Sequence, residues 1–278
     1  MSTLIIVLAA AGIVLAGQLG LPWWRARKRE RVMRHGLDRG ARLSIEDEVP
    51  LYRRLPIEIK ARLDSLVAVF IAEKEFVGCA GLEISAEMKL SIATQACLLI
   101  VNRRKEHPGV YDELDSILVY PSSFLVHDRE VDDAGVVTEE PRELLGQTFD
   151  TGRIILSWSD VEGGARATAD GANVVLHEFA HYLDNEDGSG NGAPILADSA
   201  DYERWSTALK AAYGRAWHRI RGGRATVIDA YALENEAEFF AVVTEVFFES
   251  AAALKAEDPP LYGELARYYQ LDPASWVS

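Results

Sequence analysis

The chain has 278 residues and a mass of 30.7 kDa, enough for one large domain or two small ones. Its composition, 49% hydrophobic and 26% charged with 10 Pro and 21 Gly, excludes collagen-like, low-complexity and wholly disordered chains. A net charge of -14 argues against direct nucleic-acid binding, and two cysteines without a CxxC cannot build a disulfide framework or a thiolate zinc site.

The charge is unevenly spread. Residues 1–24 carry none, whereas residues 25–34 hold six basic side chains against Glu30. Residues 35–42 add one further positive charge, so the remaining body carries -20. Leu4 to Trp24 is apolar except for Gln18, and a helix of that length rises about 30 Å, the thickness of a bilayer's hydrocarbon core. Trp23 and Trp24 fall where an aromatic belt belongs, and the basic collar follows at once. The expectation is a single transmembrane helix at residues 4–24, with the body facing the cytoplasm. A cleaved signal peptide, with Val14-Leu15-Ala16 as its site, is the alternative, but no basic residue precedes the apolar run.

Residues 35–50 read as a polar linker. Pro56 then opens a helix to about Lys74, with Leu63, Leu66, Val67 and Phe70 at helical spacing. A second helix is expected over about Ala86 to Arg103. From about residue 116 the pattern changes to short β-like runs, 117–120, 124–126 and 153–158. Helices return at about 172–184, 198–213, 236–249 and 259–270. The expected fold is therefore α+β, with a helical N-terminal part and a small sheet, divided as 1–34 (anchor and collar), 35–50 (linker) and 51–278 (one domain). Cys79 and Cys97 read as small core residues.

His177-Glu178-Phe179-Ala180-His181 is an HExxH motif. On a helix, positions i and i+4 share a face about 6 Å apart, so both imidazoles can bind one Zn²⁺. Glu178 lies about 100° round the helix, beside such an ion, where it can act as a general base. The stripe Val175, Leu176, Phe179 and Leu183 would bury the other face. No third His follows in an HExxHxxGxxH pattern, so an acid from a later helix is the natural choice, and Glu236, Glu238 and Glu245 are available. Asn235 and Glu238 also have the spacing of a helix-capping pair. Asp184 to Gly192 does not keep a calcium-loop register and reads as a glycine-rich loop.

HEFAHYLD, Asn191-Gly192-Ala193-Pro194 and above all DAYALENEAEFFAVVTEVFF resemble the Mlc titration factor A family of zinc-dependent peptidases. Supporting matches lie at Phe76–Leu82, Ile117–Pro121 and Ile155–Trp158, so the likeness spans roughly residues 50–275. The resemblance implies a zincin-like metallopeptidase domain with aminopeptidase-like activity on peptide substrates. It implies one zinc per chain held by His177, His181 and Glu238, with Glu178 as base and Tyr231 as an active-site tyrosine. Some relatives bind a transcriptional repressor, which makes sequestration of such a partner the alternative function. The apolar N-terminus is a departure from the best-known soluble members, and Glu236 stands where the family often has Pro.

Overall fold

In the computed structural model the described residues are 26–103, 109–122, 125–131, 137–143, 152–166 and 171–276. Helix α1 occupies 26–35. Asp38 caps α2 (Arg39–Glu48) by accepting from the Ala41 amide at 2.8 Å. A single turn, α3 (Pro50–Arg53), leads to α4 (Ile57–Glu73), in which Leu63, Val67 and Phe70 are fully buried. The span 35–50 is thus not a linker. Its polar look hid a short helix with one buried anchor, Ile45, packed towards α5 (Ala86–Leu98). Helix α5 ends at Leu98, earlier than expected, and passes into turns that bond three residues back.

Three parallel strands make the main sheet: β1 (Glu75–Gly78), β2 (Ser116–Tyr120) and, after the antiparallel hairpin β3 (Leu125–Val131) and β4 (Val137–Glu143), β5 (Arg153–Ser157). Their order is β1-β2-β5. Ile117, Val119, Ile154 and Leu156 are buried, as continuous apolar strands under covering helices require. Strand β1 is an addition to the sequence reading, which placed its β-like runs from about residue 116 onward.

The remainder is helical: α6 (Trp158–Arg166), α7 (Val174–Asn185), α8 (Ser199–Arg221), a 3-10 turn at Ala230–Leu233, α9 (Glu236–Glu249), α10 (Ala251–Glu257) and α11 (Pro259–Tyr269). Phe179 fastens α7 to helix α4 and to the segment before β2, its ring meeting Phe70 at 5.8 Å and Tyr111 at 4.8 Å. Helix α9 buries Phe239, Phe240, Phe247 and Phe248, the last two against Tyr269. Cys97 is buried and Cys79 half-buried, both as free thiols. The apolar stretch 4–24 lies outside the described residues. Among those that are described, no helix is long and apolar enough to cross a membrane.

Candidate metal centre

Helix α7 starts where Asn173 turns its Oδ1 to the Leu176 amide at 3.1 Å. It ends where Gly188, at φ +82°, bonds back to Asn185. Val175, Leu176, Phe179 and Leu183 are all buried, so the stripe expected to face the core does so. His177 and His181 project from another face towards α9.

Helix α9 delivers the acid. Asn235 caps it by accepting from the Glu238 amide at 2.9 Å, so the spacing read as a capping pair is one. The Glu238 carboxylate is nonetheless turned inward. Its Oε2 lies 3.1 Å from His177 Nε2 and 3.3 Å from His181 Nε2, and the two Nε2 atoms are 3.1 Å apart. Among the described residues, His177, His181 and Glu238 form the one group whose donor atoms converge tightly enough to hold a metal ion. Glu236 is exposed at the start of α9. The Asp184–Gly192 loop turns on its own bonds, with Asp187 accepting from Ser189.

Behind His177 stands Glu245, two turns beyond Glu238. Its Oε1 is 2.8 Å from His177 Nδ1, and its Oε2 accepts from the Asn173 amide. A carboxylate on Nδ1 leaves the Nε2 lone pair facing the cluster and fixes the ring's orientation. Asn173 in turn donates from Nδ2 to Gln95 at 2.7 Å and Glu249 at 2.8 Å, tying α5, α7 and α9 together. The sequence alone did not disclose these contacts of the buried Asn173 side chain. The available signal was Gln95, a long polar side chain next to the apolar run Ala96, Cys97 and Leu98.

Electrostatics agree with a cation site. Burial pushes the Glu178 carboxyl up to about 8, with Glu238 and Glu245 adding to the shift and His177 opposing it. Burial also opposes charge on His177, but its hydrogen bonds to Glu238 and Glu245 outweigh this and raise it to about 10. Burial opposes charge on Glu238 too, but the hydrogen bonds and the charges of His177 and His181 together outweigh it and bring it down to about 2. Three carboxylates grouped round two imidazoles and largely shielded from water call for a positive charge between them. Two imidazole nitrogens and one carboxylate oxygen, with a second carboxylate steadying one imidazole, are a donor set that fits a divalent ion of the zinc kind.

Tyr231 sits on the 3-10 turn, its amide held by Asp229 at 2.8 Å. Its ring centroid is 6.0 Å from that of His177 and the residue is 46% exposed, so it stands at the mouth of the cluster. Burial, then the charges of Glu238, Glu234 and Glu178, push its phenol up to about 12 and keep it a proton donor.

Gly192 controls the approach of the 187–198 loop to α9. It has φ +76°, its amide donates to Asp184 at 2.8 Å, and its carbonyl accepts from Trp205 Nε1 at 2.9 Å. A Cβ there would lie 2.4 Å from the Glu236 carbonyl oxygen, two residues before Glu238. Gly192→Ala is therefore expected to cost about 1–3 kcal/mol of stability and to weaken metal binding by displacing the first turn of α9. Urea unfolding and a zinc titration of the variant check this. Parental values in both would contradict the role given to Gly192.

A helix-borne HExxH joined by a glutamate from a second helix defines a metallopeptidase-type centre. The family model described as "Glucose-regulated metallo-peptidase M90" matches residues 22–270, and the chain belongs to that family. It is 35% identical to "Uncharacterized protein slr2042" of Synechocystis over 98% of both chains. It is 33% identical to "Mlc titration factor A" of Salmonella arizonae, over 81% of this chain and 89% of the relative. The protein of that name from Escherichia coli is 32% identical over 81% of this chain and 84% of its own.

Proposed function

We propose that this chain is a membrane-anchored zinc peptidase with aminopeptidase-like action on short peptides. The observation that carries the reading is the convergence of His177 Nε2, His181 Nε2 and Glu238 Oε2 within 4.8 Å of one another, with Glu178 buried on the next position of the same helix. His177, His181 and Glu238 would hold the zinc, one per chain. When bound, such an ion polarises a peptide carbonyl and makes water acidic enough to ionise near neutrality.

The chain's own groups do the rest. Glu245 keeps His177 in one tautomer and orientation. The Glu178 carboxylate accepts a proton from the attacking water and passes it to the leaving amine. Its desolvated setting places it nearer the operating pH than a free carboxylate. The Tyr231 hydroxyl is offered as the donor to the developing oxyanion, an interaction worth about 3–4 kcal/mol where such donors have been removed.

The anchor belongs to the same proposal. The family model starts at residue 22, near the end of the apolar stretch, whereas the Synechocystis relative matches over 98% of the chain and so takes in most of that stretch. The basic collar after it supports a body on the cytoplasmic side.

A second reading, sequestration of a repressor, is favoured by the name that the Salmonella and Escherichia relatives carry. It has no need of a buried Glu178. Hydrolysis of short peptides, assayed before and after chelation and again with zinc restored, tests the first reading. Loss on chelation and recovery on zinc addition are expected. Absence of hydrolysis with one zinc bound per chain would favour the second reading instead.

A further inference from the structure

Helix α1 (26–35) is not a loose collar. Arg29 reaches back to the body with a two-pronged bond to Glu73, at 2.9 and 2.6 Å, and a third bond to Asp112 at 2.7 Å. Val32 and Met33, three and four residues on, pack against the core, as does Leu37 just beyond. These positions define one side of the helix. Arg27, Arg31 and Arg34 follow the i, i+4, i+7 rule on the opposite side and are exposed. Arg34 makes a 3.8 Å contact with Glu30, between two largely exposed side chains.

An exposed basic face on an acidic body has a chemical meaning. Arg29 bonds the helix to the body on one side, while Arg31 and Arg34 are exposed on the other. We infer that the outer face of α1 is a docking surface for anionic lipid headgroups. The occupant follows from two facts. The face is positive on a chain of net charge -14, and it lies directly after the apolar stretch 4–24, so the proposed anchor delivers it to the bilayer surface. The inference rests on the membrane-anchored reading. It adds that the body is clamped through Arg29 to a helix lying on the headgroups, which fixes its orientation instead of leaving it tethered.

The test uses the full chain in lipid nanodiscs of phosphatidylcholine alone or with added phosphatidylglycerol. Arginine modification by phenylglyoxal is read residue by residue by mass spectrometry. Arg31 and Arg34 should react about fivefold more slowly each in the anionic discs, and this difference should vanish at about 1 M salt. Arg29 should be slow in both discs, and Arg62, exposed on the body, equally fast in both. Equal reactivity of Arg31 and Arg34 in the two lipids, with the chain retained in both discs, would overturn the assignment of the face alone. Protection in phosphatidylcholine that grows with protein concentration would give the face to a second copy instead. A chain that elutes apart from the discs would overturn the anchor and the inference together.

Discussion

Glu178→Gln should retain its zinc and lose peptide hydrolysis by about 10²–10⁴-fold. Gln has the shape of Glu but cannot accept the proton from the attacking water. Metal content should not change, because Glu178 is outside the His177, His181 and Glu238 cluster. Stability should stay level or rise. Glu178 is only 3% exposed, and its ionised form is disfavoured by burial and by Glu238 and Glu245. A neutral amide removes that cost. Thermal unfolding, zinc analysis and a peptide assay on one preparation separate the three effects. Hydrolysis at the parental rate would remove Glu178 from the role of base. Retained binding of a repressor partner by this variant would be the mark of a function independent of catalysis.

What the sequence disclosed and what it hid divide along the range of the interactions. Helix α4 was readable from Pro56 and the Leu63, Val67 and Phe70 stripe because those signals are local. The HExxH spacing and the α9 run were readable for the same reason, down to the inward stripe beside His177. Strand β1 was missed because four residues give little periodicity and its partner, β2, begins about forty residues later. Helix α2 was taken for a linker because Ile45 is its one buried residue among charged neighbours. The support of the site was the least legible part. That Glu245 meets the Nδ1 of His177, that Asn173 joins Gln95 to Glu249, and that Gly192 clears the Glu236 carbonyl all depend on pairs far apart in the chain. From the sequence, Glu236, Glu238 and Glu245 were three candidates, and family likeness selected Glu238. Packing of α9 on α7 now gives each a distinct position.

Those positions order the effects of removing each acid. Glu238→Ala takes one of three converging donor atoms away and should leave little bound zinc. Glu245→Ala leaves all three in place but frees the His177 ring, so affinity should fall by about 10–100-fold. The same change strips the Asn173 amide of its acceptor, and some loss of stability should accompany it. Glu236→Ala alters an exposed side chain on the first turn of α9 and should bind zinc as the parent does. Zinc content of the folded Glu238→Ala protein, dialysed beside the parent, tests the centre most directly. The account predicts close to one zinc in the parent and nearly none in the variant; a full zinc retained in Glu238→Ala would contradict it.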